Sequence, residues 1–472
     1  MATLIQTNVT ENRGTPRVWA EGESLARAGI SPGTILEVTT HHGRMILAPA
    51  KNQERVKGRT VTVSKRTKKG RVTPLIEVRL PAIVSLFGLG ARVVIKALKG
   101  RLSIARHHQD NRIARREARL MEKLEKGEPL ETASLYHGGG VMAHAIHEGF
   151  KRSDVASVIS LAAEIEPAYL SSSLQNNPHL FSKNAILLNA PMEQLAFSVS
   201  SVEVDGVEGG VPCVGASKFG KVSNGIEHAE EHDSAGVQFY AFLRMIEVTN
   251  PAFCILENVC EYRRTASYAI IKATLKMLGY RLADRDLNGN EFGALEGRNR
   301  MVMIAVSEGL DIDLDLEAIE SVRIKETSLE DVLDAPDVAA QEAEFRDYAH
   351  LRKKEERDRK AGKDFRRNLL TPDAAKVPTL VRHYAKAGST SAQLKHPSDP
   401  LLTRLFTVAE HARIKTIPAS LVAGLSKTVA HEVMGQSVIH AAFVATAKWL
   451  GAAFKAALPP CAQPHLHKAV AA

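Results

Sequence analysis

The sequence predicts an α/β protein: a doubly wound sheet over residues 131–310, preceded by a smaller β-rich module. Three observations carry that reading. From 131 to 306, apolar β-branched runs alternate with amphipathic stretches, the pattern of strands joined by helices. The cluster Gly138-Gly139-Gly140 falls between the first such run and the helix that follows, where nucleotide-binding sheets turn. Residues 16–106 have a different texture, an internal repeat of alternating, glycine-centred segments.

Taken in order, PGTILEVTTHHGRMIL (32–47) aligns without a gap on LGARVVIKALKGRLSI (89–104) at an offset of 57 residues. Gly33 falls on Gly90, Gly43 on Gly100 and Arg44 on Arg101. Each copy reads as a short helical stretch followed by a β-hairpin. One hairpin is marginal alone, so the two are expected to pack together as an intramolecular pair over residues 1–106. This tandem module resembles the AbrB-type swapped-hairpin modules and the related SymE-like proteins, some of which bind DNA. Residues 51–130 hold 21 Lys and Arg against 7 Asp and Glu, a local excess of 14 in a chain of net charge +9. A segment so basic predicts an arm for a polyanion, most simply nucleic acid; the alternative is a solvated linker. Residues 107–130 read as a charged linker helix ended by Gly-Glu-Pro.

The strands expected next are ASLYH, VASVISLAAE, NAILLN, VEVDGVEGG, AFCILENV, YRLADRDL and RMVMIAVS. The alternation is lost over 311–403, where the charged helical run 343–368 leads into a loop-rich piece. Residues 404–455 return to helices that complete the sheet domain, and 456–472 read as a flexible tail. Nothing approaches the roughly 18 apolar residues of a membrane span, and the start lacks a secretory pattern. Four cysteines without a Cys-x-x-Cys pair predict a reduced, cytoplasmic protein with no metal site.

Ligands of open α/β sheets sit outside the carboxyl ends of the strands. Cys213 follows VEVDGVEGG, Glu257 ends AFCILE, and Arg298 and Arg300 enter RMVMIAVS. At a spacing of two residues both guanidiniums share a face if that segment is extended. A thiol, a carboxyl and two guanidiniums then converge on one planar polar substrate. On its own stretch, GGVPCVGAS, Cys213 reads first as a small buried hydrophobe, and it is Glu257, Arg298 and Arg300 at neighbouring strand ends that reverse this. Glu164 ends the second strand 24 residues after Gly140, about where such folds hold ribose hydroxyls.

These motifs stand in the order of the DNA cytosine-5 methyltransferase family, which the chain resembles from 131 to 451. Pro212-Cys213 is similar to that family's Pro-Cys nucleophile motif, Glu257-Asn258-Val259 to its Glu-Asn-Val, and Arg298 and Arg300 to its Gln-x-Arg-x-Arg. RLFTVAEHARIKTIP (404–418) resembles its Arg-x-Leu-Thr-x-Arg-Glu segment, and Gly435-Gln436-Ser437 its closing Gly-Asn-Ser. The departures are SLYHGGG for Asp-x-Phe-x-Gly-x-Gly-Gly, Val214 after the cysteine, and Glu296 for the Gln before the arginines.

The resemblance implies a Rossmann-like fold that binds S-adenosylmethionine through Tyr136, Gly138, Gly140, Glu164, Ile165, Asn189, Gln436 and Ser437. Cys213 is the implied nucleophile, adding to carbon 6 of a flipped-out cytosine so that carbon 5 accepts the methyl group. Glu257 is the implied acid at N3, with Arg298 and Arg300 holding the base's O2 and a phosphate. Residues 311–403 fall where that family keeps its target-recognition domain, with Arg382, Lys386, Ser389, Thr390 and Lys395 as candidate DNA contacts. Double-stranded DNA is the implied partner, and a cognate restriction endonuclease is compatible with it. The same chemistry on tRNA, or a catalytically weak DNA-binding regulator, are the competing readings; retention of Cys213, Glu257 and both arginines argues against the last.

Overall fold

In this computed structural model the described residues are 2–52, 54–68, 70–194, 202–212, 227–232, 235–334 and 344–459. Cys213 and most of the expected tail (460–472) lie outside them. The chain divides into two compact units, 1–115 and 116–472.

The N-terminal unit holds strands β1 (Thr3–Asn8), β2 (Thr10–Asn12), β3 (Thr15–Glu21), β4 (Ile35–His41), β5 (Arg44–Pro49), β6 (Thr60–Thr62), β7 (Ser64–Lys68), β8 (Arg71–Val78), β9 (Arg92–Leu98) and β10 (Arg101–Arg106). Helices α1 (Glu23–Arg27) and α2 (Ala82–Phe87) precede the hairpins. β4–β5 turns at His42 (φ 46°) and Gly43 (φ 69°), and β9–β10 at Lys99 (φ 49°) and Gly100 (φ 75°). Two consecutive positive φ values define the tight turn whose twist suits a hairpin. The hairpins lie side by side in a six-stranded sheet of order β1-β9-β10-β5-β4-β6. Its edges are exchanged: β1 of the first copy pairs with β9 of the second, and β6 of the second with β4 of the first. Strands β2, β3, β8 and β7 form a second sheet. Alternate residues, among them Leu36, Met45, Leu47, Val93, Ile95 and Leu102, share one apolar core.

Helix α3 (His108–Lys126) carries the chain into the second unit. There follow β11 (Leu130–Leu135), α4 (Val141–Arg152), β12 (Ser157–Ala163), α5 (Pro167–Asn176), β13 (Phe181–Leu188), β14 (Gly206–Gly210), α6 (Gln238–Thr249), β15 (Phe253–Asn258), α7 (Ala266–Met277), β16 (Tyr280–Asn288) and β17 (Asn299–Ser307). They build a seven-stranded sheet of order β13-β12-β11-β14-β15-β17-β16, parallel except for β17, which runs antiparallel to both neighbours. Both faces are covered, which is why the strands read as nearly continuous apolar runs. Along β15, Phe253 and Ile255 enter one core while Cys254 and Leu256 enter the other. The expected strand VEVDGVEGG is shorter in fact. Its regular part is Gly206–Gly210; just before it the Asp205 N–H still donates to the Glu131 carbonyl (2.7 Å), while the Asp205 carboxylate takes Arg119 (2.9 Å), Lys123 (2.7 Å) and the Glu131 amide (2.8 Å).

Residues 311–403 hold a small three-stranded sheet of β18 (Asn368–Leu370), β19 (Ala392–Lys395) and β20 (Thr403–Arg404), with α8 (Ala349–Lys360) before it. Its core joins Leu329, Leu380, Tyr384 and Phe406 to Leu295 and Ile414. Helices α9 (Val408–Ile414), α10 (Lys427–Gln436) and α11 (His440–Ala456) return to the large sheet. There Phe443, Leu450 and Phe454 of α11 pack with Ile146 and Phe150 of α4. Among the described residues no single helix is long and apolar enough to cross a membrane.

Candidate active site

The carboxyl edge of β11 begins the site. The chain leaves the strand through Tyr136 (φ 55°), Gly138 (φ 58°) and Gly140 (φ 79°) before α4. At Gly138 a Cβ would meet only the Gln436 amide, at 3.9 Å, so the backbone there is approachable. At Gly140 it would strike Ser173 Oγ at 2.3 Å, so the turn has no room for a side chain. The Gly138 N–H donates to Glu164 Oε2 (2.7 Å), and Glu164 Oε1 accepts the Glu166 N–H (2.9 Å). One carboxylate thus fixes both the glycine turn and the loop after β12.

Asn189, at the end of β13, donates to the carbonyls of Glu164 (2.8 Å) and Ile165 (3.2 Å). Held this way, Ile165 stands 64% exposed, an open aliphatic surface beside the glycine turn's carboxylate. Tyr136 packs against the apolar core with its hydroxyl donating to the Gln238 carbonyl (2.8 Å), and burial pushes that phenol up. Ser437 donates to the Met434 carbonyl (2.8 Å), closing α10 so that Gln436 faces the glycine turn. An open glycine backbone, a buried carboxylate and an exposed aliphatic side chain together fit an adenosine-bearing cofactor.

On the other side of β11, β14 ends at Gly210, and Val211 and Pro212 are the last described residues before Cys213. The Asn258 amide holds the Val211 carbonyl at 3.0 Å and its oxygen accepts the Val259 N–H at 2.9 Å. Glu257, in register with Gly210, pairs with Arg300 at 3.0 Å. A Cβ on Gly210 would lie 2.8 Å from Glu257 Oε2, so the glycine makes room for that carboxylate. The geometry therefore brings Glu257 and Arg300 together beside the strand that leads to Cys213.

Arg298 departs from the expected convergence. It is only 4% exposed and donates to the carbonyls of Gly435 and Gln436, each at 3.3 Å. The last turn of a helix leaves its carbonyls without intrahelical donors, and Arg298 supplies them to α10. These donors thus go to the end of α10, beside Gln436, while Arg300 is the guanidinium on Glu257.

Three further residues escaped the sequence reading. Lys415, fully buried, stands 3.4 Å from Glu296 and has its pKa lowered to about 7 by burial and then by Arg298. Glu208, in register with Ser134 in the middle of the sheet, is pushed up to about 8 by burial. His137 bridges Ser134 and Ser173, each at 2.8 Å, beneath the glycine turn, and burial depresses it to about 4. The acid at 296 was the one available signal, since a buried carboxylate demands a cation. Among the candidate contacts in 311–403, Lys386, Thr390 and Lys395 are exposed and Ser389 is half-buried. Arg382 is exposed but engaged, donating to the Tyr169 hydroxyl at 3.1 Å and lying over its ring.

Fold and site together define an α/β protein with a Rossmann-like sheet that carries an open glycine turn at its carboxyl edge. A family model described as C-5 cytosine-specific DNA methylase matches residues 132–451, and the chain belongs to that family. The match begins after the N-terminal unit. Methyl transfer in this family uses S-adenosylmethionine. The chain is 30% identical over 167 residues to type II methyltransferase M1.HphI of Haemophilus parahaemolyticus, covering 35% of this chain and 43% of that one. To the DNA-cytosine methyltransferase of Escherichia coli K12 it is 26% identical over 294 residues, 54% of this chain and 62% of that one. The chain spans about half the length of the curated relatives it matches. In fold it is similar to the S. pombe Dnmt2 methyltransferase, with a TM-score of 0.52, 15% identity, and coverage of 68% of this chain and 98% of that one.

Proposed function

We propose that the protein methylates carbon 5 of cytosine in double-stranded DNA. The observation that carries the reading is the Glu257–Arg300 pair at 3.0 Å beside the end of β14, two residues before Pro212-Cys213. S-adenosylmethionine would supply an electrophilic methyl group. Gly138 would offer its backbone to it, Ile165 an apolar face for the adenine, Glu164 and Asn189 would hold that loop, and Gln436 with Ser437 would form the facing lip.

Carbon 5 of cytosine is a poor nucleophile until something adds at carbon 6. Cys213 adds there as thiolate, forming the S–C6 bond and moving the ring's electron pair toward carbon 5. Glu257 donates its proton to N3 as charge develops, and Arg300 orients that carboxyl while holding O2. Carbon 5 then takes the methyl group, leaving the cofactor as its thioether; water takes the carbon 5 proton, the S–C6 bond breaks to return Cys213 as thiolate, and N3 gives its proton back to Glu257. A stacked base cannot reach this edge, so the cytosine is flipped out at a cost of a few kcal/mol. Residues 311–403 contact the duplex, with Lys386, Ser389, Thr390 and Lys395 the candidate side chains and Arg382 acting from its seat on Tyr169. The exposed cations of the N-terminal hairpins add phosphate contacts. The relatives named as type II methyltransferases make a restriction endonuclease a candidate partner in the cytoplasm.

The test is transfer of labelled methyl from S-adenosylmethionine. Label is expected in duplex DNA; label on tRNA alone, or none at all, overturns the reading. A covalent adduct with 5-fluorocytosine duplex is expected for the natural chain and lost in Cys213→Ser; an adduct that survives removes Cys213 from its role.

A further inference from the structure

Four segments of the second unit meet on one buried carboxylate. Glu296 has no exposed side-chain surface. Its Oε1 accepts the Leu380 amide at 3.3 Å and lies 3.7 Å from Arg298, while Oε2 lies 3.4 Å from Lys415. Lys415, equally buried, donates to the Ser437 carbonyl at 3.3 Å, and Arg298 holds the carbonyls of Gly435 and Gln436. The backbone closes the same knot. Gly297 N–H reaches the Val377 carbonyl and Val377 N–H the Leu295 carbonyl, both at 2.9 Å. A Cβ on Gly435 would lie 2.3 Å from the Val381 carbonyl.

Two functional surfaces therefore hang from Glu296. Residues 377–382 lead directly into the candidate DNA contacts at 382–395. Residues 435–437 form the lip whose Gln436 faces the glycine turn. A carboxamide at 296 can accept the Leu380 amide equally well, so backbone support does not require an acid here. What requires it is Lys415, whose buried ammonium has the Glu296 carboxylate beside it. The charge pair thus reaches from the recognition segment to the lip through side chains, alongside Arg298 and the direct approach of Gly435 to Val381.

We propose that the Glu296–Lys415 pair couples the two surfaces, so that cofactor on the lip and DNA on the recognition segment each tighten binding of the other. The inference rests on the DNA reading above. Fixing either segment fixes the shared carboxylate in a close-packed interior, and the second ligand then orders less. Coupling of this kind is reciprocal, and about 5- to 150-fold is usual between two sites.

The experiment uses the full chain, a duplex that it methylates, and S-adenosylhomocysteine as probe. Its dissociation constant is measured by calorimetry with and without saturating duplex. The natural chain is expected to bind the probe at least ~5-fold more tightly when DNA is present. In Glu296→Gln/Lys415→Met, which removes both charges of the pair, keeps the volume and leaves Arg298 on its carbonyl acceptors without the carboxylate, that ratio is expected to fall to about one, with the melting temperature measured alongside to show that the variant is folded. Lys415→Met alone cuts the Ser437 link yet leaves Glu296 with Arg298, and it is read in the same way should the double variant fail to fold. Lys415→Arg is expected to keep most of the ratio. A folded variant lacking the pair but retaining the natural ratio overturns the proposal, as does a ratio of one in the natural chain. A chain that methylates no duplex overturns the DNA reading instead.

Discussion

On one face of the N-terminal six-stranded sheet, Arg44, Lys96 and Arg101 stand exposed, with no ion pair among the described residues. In the second unit Arg404 and Glu410, and Lys415 and Glu296, are paired with at most 2% exposure of any of the four side chains. The exposed cations act through a field that salt screens and that reaches about 10 Å. The buried pairs act through fixed geometry that salt barely touches, and each is costly to leave half-made. On the function proposed above, one region attracts a polyanion and the other holds a site in place. Perturbing each should therefore leave different signatures.

The largest effect is expected at Glu257. Glu257→Gln keeps a partner for Arg300 but removes the proton donor to N3, so kcat should fall by roughly 10²- to 10⁴-fold with little change in melting temperature. Single-turnover methyl transfer measures this directly, and a fall in stability that matched the fall in rate would recast Glu257 as structural.

Next is the Arg404–Glu410 pair, a two-pronged contact at 2.7 and 2.8 Å that also gathers the Thr407 amide at 2.8 Å and the Asp334 amide at 3.1 Å. Arg404→Met should cost about 3–5 kcal/mol in denaturant unfolding because it strands a buried carboxylate. Arg404→Met/Glu410→Leu should regain most of that loss; if it does not, the pair contributes more than mutual neutralisation.

Glu208 gives a smaller, pH-graded effect. An unperturbed glutamate titrates near 4.5, whereas this one is pushed up to about 8. Between those values the folded chain holds a proton that the unfolded chain releases. The stability it provides is fully present below pH 4.5 and is lost as pH rises through about 8. Glu208→Gln removes that loss, so its melting temperature should gain on the natural protein steadily from pH 5 to pH 8. A pH-independent difference would show that the carboxyl is ionised throughout.

How much of this could be read beforehand depends on the range of the interaction involved. The seven strands were legible because β-branched runs such as VASVISLAAE and RMVMIAVS report burial on both faces, a local property. The hairpin turns were legible for a similar reason, since His42-Gly43 and Lys99-Gly100 carry their own backbone preference. Glu257 was visible at the end of its strand. Arg298 was visible as a residue but not in its role, because its partners are carbonyls of a helix end 137 residues away. Lys415 was hidden altogether. A lysine at the end of α9 reads as a solvated helix terminus, and only the packing of Glu296, Arg298 and Ser437 around it reveals a core position. The anchoring of Asp205 just before β14 was hidden too, since the arginine and lysine that claim it come from a helix far back in the chain.

The smallest expected effect bears on the exposed side of the comparison, and there the measured quantity is a slope rather than an affinity. Arg44 and Arg101 occupy equivalent positions in the two hairpins, and Lys96 lies on the same face, paired in register with Ser103 of β10. If each neutralises one phosphate, each contributes about 0.9 to the slope of log binding constant against log salt. The triple change Arg44→Ala, Lys96→Ala, Arg101→Ala should therefore flatten that slope by about 2.7 units. Methyl transfer at saturating DNA and low salt should stay unchanged. The buried-pair variants should do the opposite, altering stability or coupling at constant slope. Equilibrium binding to one duplex across a salt series separates the two. An undiminished slope in the triple variant would detach this face of the N-terminal unit from DNA binding, leaving the affinity to the cations of residues 382–395.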